Sequence, residues 1–251
     1  MQKFFIAIFM LTLMTSSKAT SLTLSICAEP WPPFISHEGG RVVGIAADII
    51  GKVARKHRLF VRYHLSSSEA CNTLMKENKV DIIAFGSPGE APAGWIATKV
   101  PFVLWVLYAW VAHSSPLTAY SGLDKFSGAN VGWVDSYDYP SKMISFNNWN
   151  RVIAGDTQAS IELLARGRVN VVFDDNQALY DIPPEIKSQV KKLSGVAFVI
   201  NQPIYLRKNL EYIRNEIDLA VRELPMSTLD TIYLQHEGIS FDSAVKKMDR
   251  K

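Results

Sequence analysis

The chain has 251 residues, 48% hydrophobic and 20% charged, and its 27 basic residues against 24 acidic ones give a net charge of +3. That is enough apolar material for one large or two smaller cores. The basic clusters Arg55-Lys56-His57-Arg58, Lys191-Lys192 and Lys246-Lys247 are scattered and interrupted by acids, which excludes a phosphate-neutralising nucleic-acid surface.

At the N-terminus Lys3 supplies a positive charge, Phe4 to Met14 an apolar run, and Ser17-Lys18-Ala19 the small residues that a signal peptidase reads. This pattern predicts a signal peptide over residues 1–19, a mature start near Thr20 and a periplasmic location. The run is shorter than the roughly 20 residues that span a bilayer. Its removal takes Lys3 and Lys18 with it, leaving 25 basic against 24 acidic residues over about 232 positions, a net charge near +1. Two cysteines in an oxidising compartment predict one disulfide, Cys27 to Cys71.

The alternating run Leu22 to Ile26 reads as a strand, and "SICAEPWPPF" at 25 to 34 follows it with a stiff aromatic and proline knuckle. Apolar residues at Ile45, Ile49, Ile50 and Val53 suit one face of a helix within 41–55. Phe60 to Leu65 alternates as a strand. A helix from about Glu69 to Glu77, capped by one of Ser66 to Ser68, precedes a buried strand at Val80 to Phe85. This order implies a parallel, helix-covered sheet. The stretch from Gly86 to Gly94 is a Gly- and Pro-rich loop. "VPFVLWVLYAWVAH", 100 to 113, is too short to span a membrane, and its valines and aromatics favour buried, extended structure.

A second αβ unit follows Pro116. It has a strand at Asn130 to Val134, a helix from about Tyr139, another strand, a helix from Gln158 to Arg166 and a strand at Val169 to Phe173. Pro183-Pro184 marks a loop, Val196 to Ile200 a strand and Leu210 to Leu224 a helix. Two α/β halves joined by a pair of extended segments account for this pattern.

His37, His57, His64, His113 and His236 form no HExxH, HxH or CxxC-type set, so no metal is expected. Neither a GxSxG elbow nor a Walker loop is present, and no cofactor is expected.

Six stretches in order carry a family resemblance: "WPPF" (31–34) with Gly44 and Asp48, "KVDIIAFGS" (79–87), "VPF" (100–102), "LDKFSGANVGWVDSYDY" (123–139), "LLARGRVNVVFDDNQALY" (163–180) and "LDTIYLQHEG" (229–238). Together they resemble the family 3 periplasmic solute-binding proteins, two-lobed receptors best known for amino-acid uptake. The resemblance implies an α/β type II fold in which each lobe is a mixed, mostly parallel sheet flanked by helices. Lobe 1 would comprise 20–112 with 201–251 and lobe 2 residues 113–200, with crossovers near Tyr108 to Ser114 and Val196 to Pro203. It further implies a non-catalytic function: a small solute is captured by hinge closure and presented by a monomer to an ABC permease or a membrane sensor.

By the same resemblance, Trp31 presents an aromatic face to the solute with Phe34 packed beneath it. Prolines fix that segment in advance and so lower the entropy lost on binding. Cys71 would start the second helix beside Cys27, making the disulfide a brace for this wall. Phe85, Gly86 and Ser87 would line the lobe 1 side. The acid that meets a ligand's ammonium group falls on Asp175, with Asp174 its rival by one position, at the strand end where α/β sheets place ligands. Backbone N–H groups of Asp135-Ser136-Tyr137-Asp138 would stand at a helix start, a seat for an anion that the two acids oppose. Amino-acid receptors of this kind carry a carboxylate-clamping arginine shortly after the strand that ends at Phe85. Here no basic residue precedes Lys99. A cleft of Trp31, Trp133, Tyr137, Asp138 and Asp175 suits a cationic or uncharged solute instead. The alternatives are a periplasmic enzyme like the cyclohexadienyl dehydratases, whose carboxylated substrates also call for a basic clamp, and a degenerate interaction module without a ligand.

Overall fold

A computed structural model describes residues 22–86 and 91–248. The expected signal segment, residues 1–19, and Ser87 lie outside the described residues.

The chain opens with strand β1 (Thr23–Ala28), a short hairpin of β2 (Ser36–Glu38) and β3 (Arg41–Val43), then helix α1 (Ile45–Lys56). Next come β4 (Phe60–Leu65), α2 (Ser68–Lys76), β5 (Ile82–Ile83) and β6 (Trp95–Ala97). A long strand, β7 (Leu104–Ala112), leads to β8 (Asn130–Val134), α3 (Ser141–Ser145), β9 (Asn150–Ala154), α4 (Thr157–Ala165) and β10 (Val171–Asp174). The order ends α5 (Pro184–Lys187), β11 (Val190–Lys192), β12 (Phe198–Asn201), β13 (Tyr205–Arg207), α6 (Glu211–Arg222), α7 (Met226–His236) and α8 (Phe241–Lys247).

These strands form two main sheets. The first runs β4-β1-β5-β13-β6, with β1 parallel to both β4 and β5 and with β13 antiparallel. The second runs β11-β7-β10-β8-β9, parallel through β10, β8 and β9 and antiparallel at β7, which also pairs β12. Each sheet has its own core. Leu24, Ile26, Ile50, Phe102 and Tyr233 belong to the first, and Val131, Trp149, Phe173 and Leu193 to the second. Burial of each such side chain contributes roughly 1.5–3 kcal/mol.

Strand β7 belongs to both halves. Its alternate residues Leu104, Val106 and Tyr108 face the first core, and Trp105, Leu107, Ala109 and Val111 face the second. A strand apolar on both faces reads as a continuous hydrophobic run, the pattern of 100–113. By hydrogen bonding Leu104–Ala112 lies in the second sheet, whereas the expected division assigned it to lobe 1. The segment Tyr108 to Ser114 is therefore no crossover: Tyr108 pairs Asp174 and Ala112 pairs Val190 within the second sheet. The two chain passages between the halves meet instead where Leu104–Leu107 pairs Phe198–Asn201. The Tyr233 hydroxyl pins this point by accepting from the Leu104 N–H (2.7 Å) and donating to the Phe102 carbonyl (3.0 Å).

Local chemistry fixes the elements near the cleft. Ser67 caps α2 by accepting from the Ala70 N–H (3.3 Å), and Asp156 caps α4 by accepting from the Ala159 N–H (2.7 Å). Gly44, at φ 112°, starts α1, and the first helical N–H groups donate to the carbonyls of Pro33 (3.4 Å) and Phe34 (3.0 Å). A Cβ at Gly44 would lie 2.5 Å from the Phe34 carbonyl oxygen, so only glycine admits this docking. The helix expected from within 41–55 thus begins at Ile45, because Arg41–Val43 is hydrogen-bonded into the small hairpin.

Candidate functional site

Five segments converge at the carboxyl ends of parallel strands: Glu29 to Trp31 after β1, Phe85-Gly86 after β5, Ser136 to Asp138 after β8, Asp156-Thr157 after β9, and Asp175 after β10. They enclose a cavity of about 530 Å³ between the two halves, also lined by Trp105, Gln177, Tyr180 and Tyr205. Open α/β sheets place ligands at this end.

Trp31 and Asp175 meet across the cavity, the indole Nε1 donating to Asp175 Oδ2 at 2.8 Å. Trp31 is held edge-on by Phe34 (centroids 4.8 Å) and Phe85 (5.3 Å), the geometry that aromatic quadrupoles favour. Phe34 is fully buried beneath it and touches Tyr233. Phe85 lies at φ 70°, an uncommon backbone state for an aromatic residue, and turns the chain out of β5 against the cavity. At Gly86 a Cβ would strike the Tyr205 ring at 2.6 Å, so a bare backbone is required there. The Cys27–Cys71 disulfide, with Cα atoms 5.5 Å apart, ties β1 to the first turn of α2 directly behind this wall.

From the other half, Asp175 is 6% exposed and its Oδ1 accepts from the Gln177 N–H (2.7 Å). Its neighbour Asp174, 4% exposed, accepts from the Asp175 N–H (2.8 Å) and from the Thr157 hydroxyl (2.6 Å). Since the Thr157 proton goes to Asp174, the Tyr137 hydroxyl donates to Thr157 Oγ1 (3.2 Å). Burial pushes both aspartates above the ordinary carboxylate range. The charge of Asp175 adds to this at Asp174, and the Trp31 indole opposes it at Asp175. Burial also raises the Tyr137 phenol, so it stays neutral.

Asp138 and Tyr137 line the cavity, but Trp133 does not. The period-2 alternation of β8 turns Val131 and Trp133 into the second core, leaving Gly132 to face α4 through Ser160. Trp133 packs at a tilt against Tyr139 (4.0 Å), with the Arg151 guanidinium over its ring (4.1 Å). Trp105 on β7 supplies the tryptophan that the site uses, edge-on to Tyr137 at 5.4 Å. The seat expected at Asp135 to Asp138 also differs: α3 starts only at Ser141, and the Tyr137 N–H is spent on the Val134 carbonyl (3.1 Å). Sequence reasoning missed Trp105, Thr157 and Glu29. The pair Asp156-Thr157 before a helical run was the available signal, being both a cap and a strand end.

The lining contains Glu29, Asp138, Asp156, Asp174, Asp175 and Asp181, and no Lys, Arg or His among the described residues. Among the described residues no set of three His, Cys, Asp or Glu side chains is gathered to hold a metal ion.

No family model matches the chain, and no curated protein matches it. Solved structures do. An arginine 3rd transport system periplasmic binding protein from Legionella pneumophila shares 15% identity over 86% of this chain and 100% of its own, with a TM-score of 0.65. The probable amino-acid ABC transporter extracellular-binding protein ytmK from Bacillus subtilis shares 15% over 87% and 98%, with a TM-score of 0.68. The GluR0 ligand-binding core in complex with L-glutamate shares 18% over 87% and 100%, with a TM-score of 0.68. The fold is therefore the two-lobed, mixed α/β periplasmic binding protein fold of type II.

Proposed function

We propose that this chain is an exported solute-binding protein that captures a small polar or cationic solute between its lobes and presents it to a membrane transporter or sensor. One observation carries the reading: a cavity walled by Trp31, Trp105 and Tyr137 holds buried carboxylates and no basic group among its described lining. Such a wall attracts a cation through ring faces and through Asp174 and Asp175, whose hydrogen-bond donors are Thr157, Trp31 and backbone N–H groups, and it repels a carboxylate. The similar folds, two of them described as transport-system binding proteins, support the solute-binding half of this reading. Lobe 1 is taken as residues 20–112 with 201–251 and lobe 2 as 113–200, less the shared strand β7, and closure pivots where β7 pairs β12. Trp31, Phe85, Gly86, Tyr137, Asp138 and Asp175 form the binding wall, joined by Trp105 and Thr157.

Native mass spectrometry of the protein purified from its exported form tests this directly. A retained small cation or neutral polar solute is the expected result, together with a rise in melting temperature when that solute is added back. A library of amines, guanidines, polyols and amino acids that leaves both tryptophan fluorescence and melting unchanged refutes it.

A further inference from the structure

The acids of the cavity form two poles. Asp174 and Asp175, buried side by side at the end of β10, make the inner one. Glu29 and Asp156 make the outer one. They come from different halves and both line the cavity: burial, and after the Ser68 contacts the charge of Asp156, lift the Glu29 carboxyl. Glu29 Oε2 accepts the Ser68 hydroxyl (2.6 Å), a neutral partner that leaves the charge in place. The Tyr137 and Thr157 side chains line the same cavity. Tyr137 feels the charges of both Asp174 and Glu29, and Thr157, next in the chain to Asp156, donates to Asp174. The four acids thus line one cavity of about 530 Å³, with Asp156 next in the chain to the Thr157 that bonds Asp174.

Resting on the cationic-solute reading above, we propose that the solute is an organic dication, a diamine or guanidino-amine without a carboxylate, with one cationic group at Asp174–Asp175 and the other between Glu29 and Asp156. A monocation would neutralise one pole and leave like charges facing each other at the other, where low dielectric strengthens repulsion. A carboxylate on the solute would meet six acids and no base in the described lining. The aromatic faces of Trp31 and Trp105 suit the alkyl spacer as well as the charges.

Calorimetric titration of the exported protein with a series of α,ω-diaminoalkanes, each against the monoamine of equal chain length, tests this. The best diamine is expected to bind at least about tenfold tighter than its monoamine, since a second charge-assisted contact supplies about 1.4 kcal/mol or more. Glu29→Gln and Asp156→Asn, both near-isosteric and the second retaining the helix cap, are expected to erase that advantage while melting as cooperatively as the parent. Equal affinity for diamine and monoamine overturns the dication and leaves the cationic reading standing. Lysine or arginine binding tighter than their decarboxylated counterparts overturns the exclusion of a carboxylate. Failure of every amine, with a neutral or anionic solute bound instead, overturns both readings.

Discussion

Replacing Glu237 by glutamine should make the protein more stable at neutral and alkaline pH and change little in acid. Glu237 follows α7 with 0% exposure, and neither carboxylate oxygen has a hydrogen-bond partner. Around it stand the Tyr108 hydroxyl, which donates to the Glu237 backbone carbonyl at 2.6 Å, and Lys192, whose ammonium lies 4.0 Å over the Tyr108 ring and bonds Asn176. Burial and the charges of Asp175 and Asp174 push the Glu237 carboxyl up to about 9, against the weaker help that the charge of Lys192 gives the ion. The folded protein then holds a proton that the unfolded chain releases above its ordinary value of 4.5. Because the native state binds more protons, stability falls as pH rises from about 4.5 toward 9. At pH 7 the penalty is about 3 kcal/mol, taken at roughly 1.4 kcal/mol per pH unit above the unfolded value. Glutamine mimics the neutral acid at all pH. Any cost of burying its amide is the same at pH 5 and pH 8 and drops out of the comparison. For a protein of this size about 3 kcal/mol corresponds to a melting shift of roughly 5–10 °C. The assay is thermal melting of parent and Glu237→Gln from pH 5 to 9 without solute. The curves should diverge upward in pH, with a residual slope in the variant from Asp174 and Asp175. Parallel curves would mean that Glu237 is ionised in the folded protein, and the reasoning fails.

Trp31→Phe keeps most of the ring but removes the donor to Asp175 Oδ2. A hydrogen bond to a charged group is worth about 1.5–3 kcal/mol, so affinity for a captured cation should fall about tenfold or more. The Asp175 carboxyl should rise further, so the loss should deepen as pH falls, and a pH-independent loss in calorimetry would count against the bond's role. Gly44→Ala forces a Cβ to within 2.5 Å of the Phe34 carbonyl at φ 112°, so denaturant unfolding should show a loss of about 2 kcal/mol or more, with altered Trp31 fluorescence. A neutral outcome would show that α1 and the knuckle can separate without cost.

The elements legible in the sequence were those whose local signal agreed with their tertiary surroundings. The α2 cap at Ser67, the strand Phe60–Leu65 with its alternating exposure, and Asn130–Val134 all fall in this class. β13 and β6 were not legible, since three-residue strands carry no period and are held by partners distant in sequence. In the site, Trp31 and Asp175 could be placed from motif order because each lies within three residues of a parallel strand's end. The exchange of Trp133 for Trp105 has a different origin. Both tryptophans pack into the second core, but β7 runs antiparallel to β10 with Tyr108 opposite Asp174, so Trp105 lies past the strand end that carries the cavity acids, and such long-range strand pairing is not written in the local sequence pattern.

The segment Asp175-Asn176-Gln177 shows why the site lies where it does. Asp175 takes the Trp31 indole, and the side chains of Asn176 (2.7 Å) and Gln177 (2.8 Å) both donate to the His236 carbonyl at the end of α7. Three consecutive residues of one half therefore bond groups of the other, at the Trp31 indole and the His236 carbonyl. The Asp175 that would grip a cation in the proposed function thus also bonds across the two halves. A cation beside Asp175 would hold this burial-raised carboxyl ionised, as the acceptor that Trp31 needs, so in the proposed function capture and closure would draw on one carboxylate and favour each other.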